Sequence, residues 1–129
     1  EKSQKYPNIP AGIPLVQHSL QMLLEFYFDD IFSLEMIVEK SSHNVAKRFN
    51  IKDRGFLREG YFADIACVDM DQTYTVNKEN ILHKCGWSPL ENRTMRSSIY
   101  ATILNGNIAF KDGQFSESLD FGHRLEFDY

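Results

Sequence analysis

Residues 99–110 read IYATILNGNIAF, two runs of β-favouring residues on either side of Asn105-Gly106. A two-residue type I′ turn needs positive φ at both central positions, and Asn-Gly is the pair that tolerates this best. The stretch therefore predicts an antiparallel hairpin. Lys111-Asp112-Gly113 follows directly and predicts a second tight turn, so that sheet structure should continue beyond residue 110.

The sequence before this hairpin is also rich in strand-forming residues. Residues 61–69, YFADIACVD, lie between Gly60 and a turn-forming stretch, and they predict a strand. The alternation over Thr73–Val76 predicts a short edge strand. Gly55 and Gly60 bracket a turn-rich segment before these strands. From about residue 50 onward, the chain is predicted to be mostly strand.

The first part of the chain has a helical character instead. Residues 1–14 are polar and proline-rich and predict a loop. Apolar residues at helical spacing then predict a helix over 15–27. Ser33 is a predicted N-cap of a second helix that runs to about Ser41, and Asn44 is a predicted N-cap of a third, short helix. Helices followed by strands predict an α+β fold.

The bulk composition limits the class of protein. The 129 residues suffice for one compact domain, and 43% hydrophobic and 25% charged residues are ordinary values for a soluble globular protein. A formal charge of −4 disfavours nucleic acid as a partner, since no basic stripe is present. No apolar run approaches the roughly 20 residues that span a bilayer, and no apolar region follows the charged start, so a membrane span and a secretion signal are not expected. Cys67 and Cys85 are predicted to be free thiols, and the cytoplasm is the expected location.

The potential catalytic groups do not form a recognisable motif. Four histidines are present, namely His18, His43, His83 and His123. They include no His-x-His or His-Glu-x-x-His pair, and no Cys-x-x-Cys occurs, so no metal site is predicted within this chain. His18 lies in the first predicted helix, where a surface or hydrogen-bonded histidine is the expectation. No nucleophile elbow or glycine-rich phosphate loop is present either. The residues alone therefore predict a domain without a catalytic constellation.

Two segments resemble the end of the cyclic amidohydrolase family. Residues 55–65, GFLREGYFADI, resemble the family pattern Gly-x-Ile/Leu-x-x-Gly-x-x-Ala-Asp-Leu, which opens the return of the chain into a small β-sandwich. Residues 102–107, TILNGN, together with Asp112-Gly113, resemble the closing hairpin of the family. The two segments occur in the order of the family, about forty residues apart.

Three further segments narrow the resemblance to dihydroorotase. Residues 9–17, IPAGIPLVQ, resemble the loop that follows the last metal-ligand strand of its barrel. Residues 42–50, SHNVAKRFN, resemble its Ser-His-Asn-Pro-Ala helix, and residues 84–91, KCGWSPLE, resemble its Ser-Pro-Phe-Glu-Gly loop. The departures from these patterns are Val45 for proline, Leu90 for an aromatic residue and Asn92 for glycine.

The resemblance implies a piece of a larger enzyme. Residues 1–52 would form the final loop and helices of a (β/α)8 metal-dependent hydrolase barrel, and residues 53–129 part of its C-terminal β-sandwich. The parent protein would hydrolyse dihydroorotate reversibly to carbamoyl aspartate, a step of pyrimidine biosynthesis, with a hydroxide activated by zinc. The metal ligands and the general base of the family lie upstream, so this chain alone is predicted to be inactive and to bind no metal. Ala11 and Gly12 would hold the substrate ring through backbone groups, although Gly12 could also serve only a turn.

Two other functions remain open. The parent could be another cyclic amidohydrolase of the hydantoinase, dihydropyrimidinase or allantoinase type. It could also be a non-catalytic dihydroorotase-like assembly partner, whose barrel would lack the metal ligands. The expected partners are the remainder of its own barrel, a small cyclic amide and a second copy in a homo-oligomer. The face of helix 15–28 that packs on the barrel would be exposed in the chain alone.

Overall fold

The first part of the protein is helical, as expected. The computed structural model describes residues 12–118 and 120–128. Helix α1 spans Ser19–Phe28 and is preceded by one 3-10 turn at Val16–His18. Helix α2 spans Leu34–Val38, and helix α3 spans Asn44–Arg48. The predicted first helix is confirmed.

Helices α2 and α3 are joined without a break, which corrects the prediction of two separate helices. A π-helical turn at Glu39–His43 connects them, and Asn44 keeps helical dihedral angles of φ −70° and ψ −30°. Asn44 is therefore not an N-cap, and its amide donates to the Glu39 carboxylate at 3.2 Å. Ser33 is confirmed as the cap of the whole run, since its hydroxyl accepts a hydrogen bond from the Met36 amide at 3.2 Å.

The second part forms two antiparallel sheets. The strands are β1 Ile65–Asp69, β2 Tyr74–Thr75, β3 Thr94–Met95, β4 Ser98–Leu104, β5 Asn107–Lys111 and β6 Gln114–Phe115. The larger sheet has the strand order β1-β4-β5-β6, and the smaller sheet pairs β2 with β3. A 3-10 turn at Lys78–Asn80 follows β2. The predicted α+β character is thus present in the described residues.

The two predicted turns in this region are confirmed. Asn105 and Gly106 have φ of 49° and 81°, and Leu104 pairs with Asn107 across the turn. The second turn also uses positive φ, at Asp112 and Gly113, and joins β5 to β6. These are the positions where a type I′ geometry demands residues that tolerate the left-handed region.

Strand β1 is shorter than the sequence predicts. It begins at Ile65, because the residues before it bond to a preceding loop instead of a neighbouring strand. The Phe62 amide donates to the Asp53 carbonyl at 2.9 Å, and the Tyr61 amide donates to the Arg58 carbonyl at 3.1 Å. The predicted edge strand near residue 75 is present but has only two residues.

The apolar core lies between α1 and the smaller sheet. Its fully or nearly fully buried members are Val76, Leu90 and Met95. Partly buried side chains from both sides pack against them, namely Leu15, Met22, Tyr74 and Ile81. Close packing of this kind couples the start of α1 to the segment that follows β2. Within the described ranges, no helix is long and apolar enough to cross a bilayer.

Candidate functional site

The predicted substrate loop is only partly described. Ala11 lies outside the described residues. Gly12 is exposed and has a φ of +89°, and none of the described residues places a heavy atom within 4 Å of the position that a Cβ would occupy. The open space beside Gly12 would admit a ligand close to its backbone. The positive φ is by itself a sufficient reason for glycine, so both roles of Gly12 remain predictions.

The helix that follows this loop is anchored by Gln17. Its side-chain amide donates to the Asn80 carbonyl at 2.7 Å, and its side-chain carbonyl accepts from the Leu82 amide at 2.9 Å. Asn80 itself belongs to a capping box with Asn77, which holds the 3-10 turn in shape. We call this pair of contacts the Gln17 clamp. The sequence analysis missed it, because the partners lie more than sixty residues apart.

Next to the Gln17 clamp lies a buried histidine. His18 is fully buried, and its ring lies 6.0 Å from that of Tyr74. Neither ring nitrogen has a hydrogen-bond partner among the described residues, and the same holds for the buried nitrogens of His83. Burial lowers the pKa of His18 below its ordinary value of 6.5, and the charge of His83 lowers it further. The expectation of a surface or hydrogen-bonded His18 is therefore wrong.

These two histidines do not make a zinc site. Structural zinc takes four ligands, and catalytic zinc takes three from the protein. Nowhere in the described parts of the chain do three His, Cys, Asp or Glu side chains gather in a way that could hold a metal ion. Cys67 is half-buried and Cys85 is exposed, and both are free. The described residues therefore do not fit the metal that the family resemblance implies.

The two segments that carry the family resemblance are in direct contact. Arg54 is buried and pairs with the carboxylate of Asp64, and it donates to the Asn105 side chain at 2.7 Å. The backbone amide of Asn105 in turn donates to the Asp64 carboxylate at 2.8 Å. The central carbon of the Arg54 guanidinium lies 4.1 Å from the centroid of the Phe62 ring. The Ala-Asp pattern and the Asn-Gly turn thus meet through a charge-assisted network.

The Ser-His-Asn helix segment also has a packing role. The Ser42 hydroxyl donates to the Gly55 carbonyl at 2.9 Å. The His43 ring stacks on Phe56 with centroids 4.3 Å apart and an angle of 9°. Ala46 lies so close to Gly55 that an added Cβ there would come within 2.5 Å of the Ala46 Cβ. Ser42 and His43 bond to different groups, so they do not form a nucleophile and base pair.

A second ionic cluster fixes α1 to the sheets. The Arg96 backbone amide and guanidinium donate to the Glu25 carboxylate at 2.7 Å and 3.0 Å. The same guanidinium donates to Asp29 at 2.6 Å and lies over the Phe28 ring. Asp29, and then Glu25, raise the pKa of Arg96 above its ordinary value. The end of α1 is therefore held on the turn between β3 and β4.

A groove of about 550 Å³ is lined by the larger sheet together with the first helical segment and residues around β2. The apolar part of its lining includes Tyr100, Phe110, Phe115 and Leu82. Gln17 and Gln21 of the first helical segment border it on one side. Among the described residues that line the groove, Asp112 is the only acidic or basic one, so the groove has the character of a packing surface.

The comparisons with known proteins agree with this fold. No family model matches the chain. The dihydroorotase of Endomicrobium trichonymphae is 36% identical over 112 residues, which are 86% of this chain and 26% of that protein. The allantoinase of Desulfitobacterium hafniense is 36% identical over 114 residues, which are 88% of this chain and 25% of that protein.

A solved structure extends the likeness to three dimensions. The L-hydantoinase (dihydropyrimidinase) of Arthrobacter aurescens matches with a TM-score of 0.80 and 26% identity, over 91% of this chain and 26% of that chain. This chain thus spans about a quarter of the length of the proteins that it matches. The resemblance predicted from the sequence is confirmed: the chain belongs to the dihydroorotase-like cyclic amidohydrolases.

Proposed function

We propose that this chain is the C-terminal part of a zinc-dependent dihydroorotase. The observation that carries the proposal is the 36% identity to a dihydroorotase over 86% of the chain. Residues 1–52 would supply the last loop and helices of the barrel, and residues 53–129 would supply part of the β-sandwich. The helical run and the two antiparallel sheets of the described residues support this division.

In this proposal, the chain holds the substrate and leaves the bond cleavage to groups elsewhere in the parent protein. Zinc would supply an activated hydroxide for attack on the cyclic amide carbonyl. The backbone of Ala11 and Gly12 would bind the ring of the substrate, and the absence of a side chain at Gly12 would permit close approach. The Gln17 clamp would keep this loop in place, since it fixes the first helical turn after it.

A second candidate is a parent that acts on another ring. The allantoinase relative matches with the same 36% identity, and the structural match is to an L-hydantoinase. A third candidate is a non-catalytic assembly partner. The three differ in the ring that is hydrolysed and in whether zinc ligands are present, and both properties can be measured. We further propose a cytoplasmic location, which the two free cysteines support.

The test uses the intact protein that carries this chain. Its zinc content is measured by elemental analysis, and its hydrolysis of dihydroorotate, allantoin and hydantoin is compared at equal concentrations. We expect stoichiometric zinc and the highest kcat/KM for dihydroorotate. The 129-residue chain alone serves as the control and should show neither activity nor bound zinc.

Each other result selects another candidate. Preferential hydrolysis of allantoin or hydantoin would replace the dihydroorotase proposal with the corresponding ring. An intact protein without zinc and without activity on any of the three rings would favour the assembly partner. Activity of the 129-residue chain alone would contradict the assignment of the chemistry to residues outside it.

A further inference from the structure

The start of α1 and the segment after β2 form a joint that contains the fully buried His18 and the partly buried His83. Gln17 precedes His18 and bonds to Leu82, which precedes His83. His18 and His83 are therefore each the next residue along the chain from one partner of the same hydrogen bond. His18 is fully buried at this joint, and all four ring nitrogens of the pair lack a hydrogen-bond partner among the described residues.

The surroundings of His18 favour an uncharged ring. A buried imidazolium without a bonded acceptor is costly, and repulsion is added when the second imidazole nearby is charged as well. Tyr74 of β2 packs on His18, and burial raises the pKa of its phenol, so Tyr74 is uncharged at neutral and acid pH. Within the described part of the chain, no carboxylate bonds to either imidazole.

The charged groups of the neighbouring elements are engaged elsewhere or face solvent. Glu25, the buried acid of α1, is held by Arg96. The charged residues of the segment after β2 are exposed, namely Lys78, Glu79 and Lys84. A proton on His18 would therefore find no compensating charge among these groups. The direction of its pKa, below 6.5, agrees with this environment.

We propose that this joint is an acid-sensitive latch, in which uncharged His18 lets residues 77–87 close on the start of α1, and protonation of His18 releases them. At neutral pH the His18 imidazole is uncharged, and the Gln17 clamp and the core around Val76 hold the segment. Below neutral pH, His18 takes up a proton more readily in the open segment than in the closed one. The equilibrium between the closed and the open segment therefore shifts toward the open one.

The sign and the size of the effect follow from proton linkage. The pKa of His18 in the closed joint is lower than its ordinary value of 6.5 in the open one. The contribution of His18 to the stability of the closed state is therefore fully present above pH 6.5. As the pH falls from there toward the lowered pKa, the opening constant rises by at most about tenfold per pH unit. Below the lowered pKa it becomes constant again.

The test is hydrogen exchange of the intact protein, followed by mass spectrometry from about pH 7.5 to about pH 5.0. Exchange of peptides from 77–87 is corrected for the pH dependence of the intrinsic chemical rate. We expect the corrected opening to rise several-fold below pH 6.5 in the wild type. It should stay constant in His18→Leu, whose side chain fills a similar volume and cannot take a proton. His123→Leu, at an exposed position, should behave like the wild type.

A second variant and the wild-type measurement keep the test decisive if His18→Leu does not fold. His18→Gln is a smaller, polar and non-titrating replacement that should also abolish the pH dependence. The wild type by itself must show the acid-induced opening of 77–87. Unchanged corrected exchange in the wild type would overturn the latch. So would an equal rise in the wild type and in a folded His18 variant, because the proton would then bind elsewhere.

Discussion

Replacement of Gly55 by alanine should strongly destabilise the protein, because two features of this position both exclude a side chain. Gly55 has a φ of +80°, in the left-handed region where a Cβ is strained. The added Cβ would also lie 2.5 Å from the Ala46 Cβ and 3.2 Å from the Ser42 carbonyl oxygen. Neither neighbour is the far end of a flexible side chain, so the helix and the loop would have to separate.

The expected loss is the sum of a backbone and a packing contribution. A non-glycine residue at this φ costs about 1 kcal/mol of unfolding free energy. Overpacking against α3 adds about 1–3 kcal/mol. Gly55→Ala should therefore lower the unfolding free energy by about 2–4 kcal/mol. Gly60→Ala is the matched control, since Gly60 has a φ of +83° and nothing within 4 Å of a Cβ, and it should lose only about 1 kcal/mol.

Urea denaturation followed by circular dichroism measures these differences. The double variant Gly55→Ala with Ala46→Gly removes the facing methyl group and should recover the packing contribution, about 1–3 kcal/mol, relative to the sum of the two single variants. Equal losses in Gly55→Ala and Gly60→Ala would refute the contact between the loop and α3. Strict additivity in the double variant would refute it as well.

Three further predictions concern other contacts. Asp64→Ala leaves the buried guanidinium of Arg54 without its ion pair and should lower the unfolding free energy by about 2–4 kcal/mol in urea denaturation; a loss below 1 kcal/mol would contradict this role. Gln17→Leu breaks both bonds of the Gln17 clamp and should increase hydrogen exchange at Leu82 without a comparable increase in the larger sheet. An equal increase at Leu82 and in the larger sheet would argue against a local role of the clamp. Val16 is 90% exposed, so Val16→Lys should weaken any self-association of the 129-residue chain in sedimentation. The unfolding free energy should change by less than about 0.5 kcal/mol. Unchanged association would show that the self-associating surface does not include Val16.

The elements that the sequence predicts well are those with a local cause. The Asn105-Gly106 turn follows from the positive φ that a two-residue hairpin demands, and the observed angles have that sign. Ser33 caps its helix through a bond to an amide only three residues away. The first helix is set by apolar spacing. In each case the deciding interaction lies within a few residues of the pattern.

The features that the sequence analysis missed depend on distant partners. The Gln17 clamp joins Gln17 to Asn80 and Leu82, which are separated from it by 63 and 65 positions in the sequence. No pattern around Gln17 predicts these contacts. Asparagine is a residue type that favours N-caps, but at Asn44 a π-helical turn continues the helix through the residue. His18 is fully buried and its ring contacts that of Tyr74 in β2, which the spacing of α1 alone does not predict.

The motifs that carry the family resemblance mark packing contacts in this chain. Gly55 admits Ala46 of the Ser-His-Asn helix, and Asp64 joins Arg54 to the Asn105 turn. Contacts of this kind hold the helices and the sheet together and do not depend on a substrate. A dihydroorotase and an allantoinase match the chain with the same 36% identity, which agrees with a likeness at the level of the scaffold. The motifs therefore identify the family through its scaffold and do not by themselves select a substrate.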